Sequence, residues 1–224
     1  IFYQQVESLL LTELGLKDFQ ENAELFSIVN LSDCQKANRI DAEFFQIKYK
    51  NLESKIIDIG FKKLEKFVNN YSTGYPFSSD NYQEQGIPLI RINNIKKGII
   101  DLSESTFLSQ DDYKKSPKDV AKPGDIVLSM SGTIGSSALI PINIPECAVN
   151  QRILKFTPKN IDAEFLLLLL NSVVGSYQLQ RIGTGGVQTN ISYNDIKNIL
   201  IQVLQISTQQ KIAYLVRKSL HARQ

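Results

Sequence analysis

The stretch GDIVLSMSGTIGSSALI (124–140) contains two short runs of apolar and β-branched residues, GDIVLSM and SSALI, with glycine, serine and threonine between them. Runs of this length between turn-forming residues are typical of β-strands. Comparable runs occur at KLEKFV (63–68), IPLIRI (87–92), QRILKF (151–156) and NILIQV (198–203). Their spacing along the chain predicts a mixed β-sheet of irregular order.

Amphipathic helices are predicted at both ends of the chain. Residues 2–15 space apolar side chains by three and four positions and stop at Gly15, a helix-terminating residue. Residues 207–220 open with Ser207 and Gln210 in capping-box spacing and place their apolar residues on one face. Because short helices do not bury such stripes alone, we expect the two to pack on each other or on another chain.

Two further helices are predicted inside the chain, at 41–56 and 162–174. The second contains the apolar run FLLLLL, which is too short to cross a membrane. The predicted fold class is therefore α+β, an irregular mixed β-sheet domain flanked by terminal helices. We divide the chain into the end of one helix at 1–15, the sheet domain at 16–206 and the start of another helix at 207–224.

Composition excludes several classes of protein. Two cysteines, Cys34 and Cys147, and the single histidine, His221, are too few for a disulfide framework or a zinc site. The small number of cysteines favours a reducing, cytoplasmic location. The first residues do not resemble a signal peptide. The chain also begins without Met, and we expect it to be a piece of a longer protein.

Basic residues are concentrated in the later part of the chain. Residues 1–60 contain 6 Lys and Arg against 10 Asp and Glu, whereas 61–224 contain 19 against 13, for a net charge of +2 overall. This asymmetry is compatible with a nucleic-acid partner. The surplus is modest for a protein that binds DNA by charge alone, so we expect help from other subunits.

The glycine-rich stretch RIGTGGVQTNIS (181–192) raises the question of a nucleotide site. A phosphate-binding loop of the P-loop type requires Lys and then Ser or Thr after the glycines, but no lysine follows before Lys197. Two interpretations remain for this stretch. Its backbone amides approach a phosphate of a nucleic acid, or it is a mobile hinge ahead of Ser192.

Catalytic residues are not predicted in this chain. Asp41, Glu53 and Lys55 match the spacing of a metal-dependent nuclease, but they lie on one predicted helix, where such charges usually form the solvated face. A nucleophilic triad is also poorly supported because the one histidine lies close to the chain end. We predict neither catalytic residues nor metal ligands.

Polar side chains recur at the predicted turns. Arg, Asn and Gln can pair with base edges in the major groove of DNA, and Ser, Thr and glycine amides suit phosphate oxygens. Singly, each is more often an ordinary turn former, and a protein-binding scaffold would use similar loops. The stretches are STGYPFSS (72–79), RINN (91–94), SMSGT (129–133), VNQR (149–152) and RIGTGGVQTN (181–190).

Six stretches, in order, resemble the specificity (S) subunits of type I restriction-modification systems. They are LLLTELGL (9–16), NRIDAEFFQIKYKNLESKI (38–56), GIPLIRINNIKKGIID (86–101), AKPGDIVLSMSGTIG (121–135), AVNQRILKF (148–156) and QQKIAYL (209–215). Two features depart from the family pattern. VLQISTQQ (203–210) lacks the proline often found before the distal helix, and TGYP (73–76) stands where Gly-x-Thr-Pro is common.

The resemblance implies a non-catalytic subunit that recognises DNA. In that family two target recognition domains are separated by two conserved helices, which form an antiparallel coiled coil, and each domain reads one half of a split target. This chain would be one such domain with parts of both helices. Its implied partners are double-stranded DNA, modification subunits and, indirectly, a restriction subunit, with self-association through the helices as a further option and no membrane contact. No cofactor is expected here, since S-adenosylmethionine, ATP and Mg²⁺ would be used only by partner subunits.

The resemblance and side-chain chemistry together give a set of candidate site residues. The DNA-facing set is Arg91, Asn93, Ser131, Thr133, Gln151, Arg152, Gly183, Thr184, Gly185, Gly186, Gln188 and Asn190. Of these, Arg91, Gln151, Arg152 and Gln188 are predicted base readers, whereas Ser131, Thr133, Thr184 and the three glycines are predicted to face phosphates. The predicted helix or subunit interface is Phe2, Val6, Leu9, Ile212, Leu215 and Leu220.

Overall fold

The computed structural model describes residues 2–19, 26–144, 146–184 and 190–221. Long helices lie near both ends of this region, and short helical turns occur between strands. The α-helices are α1 (Phe2–Glu13), α2 (Leu31–Ala37), α3 (Ile47–Ile59), α4 (Gln110–Tyr113), α5 (Ala163–Asn171), α6 (Val173–Gly183), α7 (Tyr193–Ile196) and α8 (Ile206–His221).

The strands are short and form two four-stranded sheets and two small pairs. They are β1 (Lys62–Lys63), β2 (Val68–Ser72), β3 (Ile87–Ile90), β4 (Ile95–Lys96), β5 (Ile99–Ile100), β6 (Thr106–Leu108), β7 (Val120–Ala121), β8 (Ile126–Ser129), β9 (Ser137–Leu139), β10 (Cys147–Val149), β11 (Ile153–Pro158) and β12 (Leu200–Ile201). One sheet is antiparallel, in the order β2-β11-β8-β9. The other, β6-β3-β10-β7, is mixed because β3 and β10 are parallel. The pairs are β1-β12 and β4-β5.

Strand β8 shows why the sheets and helices stack in layers. Successive side chains of a strand point to opposite faces. Ile126 and Leu128 lie in the apolar cluster formed with the helices, whereas Val127 between them packs into the cluster facing the second sheet. Because both faces are covered, every residue of β8 is buried. The antiparallel sheet therefore lies between a helical layer and the mixed sheet.

The helical layer is built around α5, whose residues from Phe165 to Asn171 are all buried. Asp162 caps its N-terminus by accepting hydrogen bonds from two backbone N–H groups. The helix breaks at Ser172, which has an extended backbone and accepts a hydrogen bond from the N–H of Val174 as the N-cap of α6. The break turns the chain, so that α6 packs back on α5.

The terminal helices α1 and α8 pack against each other, and α8 also packs on α5. Tyr3, in the first turn of α1, and Leu220, in the last turn of α8, both lie against Gly98. The two helices are therefore antiparallel. Within the described residues, no helix is both long enough and apolar enough to cross a membrane.

The α+β class with irregular sheets is confirmed, but several element boundaries differ from the sequence prediction. The helix predicted at 41–56 begins only at Ile47, and the one predicted at 162–174 is interrupted at Ser172. Residues 181–183, predicted as loop, form the last turn of α6. Helix α8 begins at Ile206, one residue before the predicted cap Ser207. The coiled coil of the terminal helices stays a prediction.

Candidate nucleic-acid interface

Three loops meet around an open groove with a volume of about 700 Å³. They are the segment that follows β3, the loop between β8 and β9, and the turn between β10 and β11. The groove brings together five side chains that were predicted to contact DNA: Arg91, Asn93, Thr133, Gln151 and Arg152. The fold therefore joins predicted contacts that lie up to about 60 residues apart in the sequence.

The turn from Asn150 to Arg152 forms one wall of the groove. Arg152 has a left-handed backbone conformation, with φ of 65°. Its carbonyl oxygen accepts a hydrogen bond of 2.9 Å from the N–H of Met130, and the N–H of Gln151 donates to the carbonyl of Tyr75 at 3.0 Å. These bonds hold the turn from both sides and leave the side chains of Gln151 and Arg152 exposed.

The loop that contains TGYP packs directly against this turn. Tyr75 forms a parallel bridge with Asn150, and its N–H donates to the carbonyl of Val149 at 3.0 Å. Gly74 has φ of 77°, and a β-carbon at this position would lie 1.9 Å from the carbonyl oxygen of Asn150. Only glycine fits here. The departure from the family pattern at 73–76 therefore falls on a segment that supports the turn.

The segment after β3 is shaped by Asn94, which is buried. Its side-chain oxygen accepts a hydrogen bond from the N–H of Arg91, and its side-chain nitrogen donates to the carbonyl of Asp101, both at 2.9 Å. This arrangement leaves Asn93 exposed at the groove and Arg91 half-buried. The guanidinium of Arg91 lies 5.8 Å from the ring centroid of Tyr82, and its buried Nε has no hydrogen-bond partner among the described residues.

The loop between β8 and β9 links the groove to the end of the glycine-rich stretch. Ser131 forms an antiparallel bridge with Asn190, and the N–H of Ile191 donates to the carbonyl of Met130 at 2.9 Å. Thr133, farther along the loop, is exposed and lines the groove. Ser131 and Asn190, both in the predicted DNA-facing set, are therefore neighbours.

The charge of the groove is positive. Among the described residues that line it, Arg91, Lys96, Lys97 and Arg152 are cationic, and none is acidic. Lys97 also forms an ion pair of 3.4 Å with Glu7 of α1, although about half of its side chain remains exposed. A concave surface with one sign of charge attracts a polyanion.

Lys96, Lys97 and Asn150 line the groove but were not in the predicted site set. The sequence does carry a signal for the two lysines. They precede Gly98 in the tight connection between β4 and β5, a position where side chains are exposed. The position of Asn150 depends on the long-range pairing of β10 with β3, for which local sequence carries no signal.

Two further residues of the predicted set, Gly183 and Thr184, lie at the end of α6. Gly183 is the last residue of α6 and is buried, and Thr184 is half-buried beside Arg39 and Asp41. Arg181, one of the arginines of the polar loops, forms an ion pair of 2.8 Å with Glu53. Gly185, Gly186 and Gln188 lie outside the described residues.

The predicted interface residues of the terminal helices face inward wherever the structure describes their side chains. Val6 and Ile212 are buried in the main apolar cluster, and Leu9, Leu215 and Leu220 are half-buried against it. The side chain of Phe2 lies outside what the structure describes. The exposed side of α8 is formed by other residues, among them Ile206 and Tyr214.

The three residues that match a nuclease pattern do not share a helix, and they have separate partners. Asp41 lies before α3 and pairs with Arg39, whereas Glu53, on α3, pairs with Arg181. Lys55 lies 5.5 Å from the ring centroid of Phe19. Within the described ranges, no group of three or more His, Cys, Asp or Glu side chains is placed to hold a metal ion.

Comparison with known proteins identifies the family. Residues 56–218 match the family model of the type I restriction modification DNA specificity domain. The chain is 32% identical over 157 residues to the type I restriction enzyme MjaVIII specificity subunit of Methanocaldococcus jannaschii. That match covers 67% of this chain and 37% of the relative.

Solved structures show the same fold. A chain from a structural study of complex assembly and conformational transition in the type I R-M system superposes with a TM-score of 0.57 and 15% identity, over 98% of this chain and 45% of that one. The HsdS subunit of Thermoanaerobacter tengcongensis superposes with a TM-score of 0.52 and 16% identity. That superposition covers 98% of this chain and 50% of the HsdS chain. This chain thus spans half or less of each of these proteins. Since the family model matches most of its length, the chain belongs to the type I restriction modification DNA specificity domain family.

Proposed function

We propose that this chain is a target recognition domain that reads one half of a split duplex DNA sequence and catalyses no reaction itself. The observation that carries the proposal is the convergence of Arg91, Asn93, Thr133, Gln151 and Arg152 on one positively charged groove. Side chains that can read bases and side chains that can hold phosphates lie there side by side.

Each part of the groove has a proposed role. Gln151 and Arg152 are exposed on a rigid turn, so they would enter the major groove and pair with base edges. Arg91 is less exposed and would read a base that comes closer to the surface. Thr133, Ser131 and Lys96 would contact phosphates and set the register of the duplex. Asn190 would contact the duplex beside Ser131, and the phosphate contacts of Gly185 and Gly186 and the base contact of Gln188 stay predictions.

The proposed partners follow from the family and from the modest charge of the groove. Four cations support only a limited number of phosphate contacts, so modification subunits would supply further affinity. They would bind the exposed sides of α1 and α8, and a restriction subunit would join through them. S-adenosylmethionine, ATP and Mg²⁺ would be used by those partners in the cytoplasm, and no cofactor is proposed here.

A scaffold without DNA preference predicts no clustering of basic residues on the loop face, whereas the groove has four. The test is selection from random duplex DNA at moderate salt with this chain bound to its modification subunit. An enriched split motif, one half of which changes when this domain is exchanged for another, supports target recognition. Binding without an enriched motif contradicts it.

Two variants make the test specific to the groove. Arg152 and Lys159 flank the two ends of β11, about 20 Å apart at the rise of a strand, and both are exposed. Arg152→Ala should weaken binding to the selected duplex about tenfold or more and relax the preference at one base pair. Lys159→Ala removes the same charge away from the groove and should leave the preference unchanged. Equal effects of the two variants would contradict the proposed site.

A further inference from the structure

Helix α6 is capped by a side chain from a distant part of the sequence. The guanidinium of Arg39 donates to the carbonyl oxygen of Ile182 at 3.2 Å, to the carbonyl oxygen of Thr184, and to Thr184 Oγ1 at 2.9 Å. The last carbonyl groups of a helix have no partner within it, and a cation is favourable beside them. Arg39 thus fixes the position of Thr184, where α6 ends.

Asp41 holds the guanidinium in place. Arg39 Nε and Nη2 donate to its two carboxylate oxygens at 2.7 and 2.8 Å, the bidentate geometry that only arginine provides. These hydrogen bonds from Arg39 are the largest cause of a lowered pKa of the Asp41 carboxyl. The hydroxyl of Thr184 lies 3.2 Å from Asp41 Oδ2 and 2.9 Å from the carbonyl oxygen of Arg181. This hydroxyl is therefore engaged within the protein.

A second guanidinium reinforces the cap. Arg181 donates to Glu53 Oε2 at 2.8 Å and to the carbonyl oxygen of Phe44 at 3.1 Å. The Phe44 ring lies 4.6 Å from the guanidinium of Arg39 and 4.4 Å from that of Arg181. Because two carboxylates balance the two cations, neither arginine is a free cation for a DNA phosphate.

The chain beyond Thr184 is fixed again at the groove. Asn190 forms its bridge with Ser131, and the N–H of Ile191 donates to the carbonyl of Met130. Ser131 leads directly into Gly132 and Thr133, which line the groove. The six residue steps from Thr184 to Asn190 span at most about 20 Å. Only a short length of chain therefore connects the Arg39 cap to the bridge between Ser131 and Asn190.

We infer that Arg39 is a positioning residue for base recognition, which holds Thr184 so that Asn190 and Ser131 keep their places at the groove without Arg39 contacting DNA. The inference rests on the proposed function of the groove. It gives Thr184 an internal role in place of the phosphate contact predicted from its sequence context.

The test compares Arg39→Ala, Arg39→Lys and Thr184→Val with a matched control, Lys36→Ala, which removes an exposed charge from α2. Each chain is bound to its modification subunit, and affinity is measured for the selected duplex and for a scrambled one over a series of salt concentrations. Thermal unfolding confirms that each variant is folded. Hydrogen exchange is measured in parallel for the peptide that covers the last turn of α6.

We expect all three variants at Arg39 and Thr184 to lower the ratio of specific to nonspecific affinity about tenfold, with an unchanged dependence of affinity on salt. Arg39→Lys should not rescue the ratio, because lysine lacks the bidentate fork. Exchange in the last turn of α6 should become several-fold faster in both Arg39 variants. Lys36→Ala should match the wild type.

Two results would overturn the inference. An unchanged affinity ratio in Arg39→Ala and Thr184→Val, with a selective wild type, would exclude a positioning role. A salt dependence weaker by about one unit in Arg39→Ala would make Arg39 a phosphate contact instead. If the wild type shows no selectivity between the two duplexes, the proposed function fails. The cap can still be tested in that case, because an unchanged rate of hydrogen exchange in the last turn of α6 in Arg39→Ala would show that Arg39 does not stabilise the end of this helix.

Discussion

At the scale of single residues, Arg152 combines a strained backbone with an exposed cationic side chain. A left-handed conformation costs a residue with a β-carbon about 1–2 kcal/mol. Local strain of this kind is typical of functional positions, where the direction of a side chain matters more than stability. At Arg152 the strained turn places an exposed cationic residue in the wall of the groove.

Replacing Arg152 by glycine should therefore separate stability from binding. Glycine removes the left-handed strain but adds about 0.5–1 kcal/mol of entropy to the unfolded chain. We expect the free energy of unfolding in urea to stay level or to rise by up to about 1.5 kcal/mol, while affinity for the selected duplex falls. A loss of stability greater than about 1 kcal/mol would contradict this account of the turn.

Gly74 allows a similar test of the support beneath the turn. In Gly74→Ala the new β-carbon would overlap the carbonyl oxygen of Asn150, and the residue would keep a positive φ. Gly124→Ala is the control, because Gly124 has φ of 90° but no atom within 4 Å of the added carbon. We expect Gly74→Ala to lower the free energy of unfolding by about 2 kcal/mol more than the control does. Equal losses would show that the close approach is unimportant.

At the scale of elements, α8 has an inner and an outer face with different roles. Ile212 and Val216 are fully buried, whereas Tyr214 is about half exposed. Ile212→Ala should therefore lower the free energy of unfolding by about 2–5 kcal/mol, as cavity-forming changes do. Tyr214→Ala should change it by less than about 1 kcal/mol. Chemical denaturation of both variants measures this difference.

Burial along the same helix limits which substitutions can test partner binding without disturbing the fold. Leu215 is half-buried against the main apolar cluster, so an aspartate there would disturb the fold as well as any interface. Tyr214→Asp changes the outer face alone. We expect it to weaken binding to the modification subunit in a pull-down at unchanged melting temperature. Retained binding would place that interface elsewhere.

The local sequence pattern correctly predicted those elements whose own residues are enough to identify them as a strand or a helix. The runs around β8 and β11 and the apolar helix α5 are strands and a helix in the structure. The local pattern failed where a contact with a distant part of the chain determines the secondary structure. Ser172 breaks the predicted helix because the chain must turn back on α5, and β10, only three residues long, depends on pairing with β3 and β7.

At the scale of the whole molecule, the kinds of residue at the candidate site could be predicted from the sequence, but their arrangement could not. Polar turns mark Arg91, Thr133 and Arg152 locally, and the fold brings them together through pairings between distant strands. Thr184 resembles these residues in sequence but is engaged by Arg39, far away along the chain. No local pattern distinguishes an anchored threonine from an exposed one.

Under the proposed function, the charge of the whole groove determines how DNA binding depends on salt concentration. Each phosphate neutralised contributes about −0.9 to the slope of the logarithm of the association constant against the logarithm of salt concentration. With four cations lining the groove, nonspecific binding by this chain alone should have a slope no steeper than about −4. Lys96→Ala should reduce the magnitude of that slope by about one, whereas Lys159→Ala should leave it unchanged. Fluorescence anisotropy with a labelled duplex, measured over a range of salt concentrations, gives all three slopes. A much steeper slope for the wild type, or equal slopes for the two variants, would mean that DNA contacts this protein outside the groove.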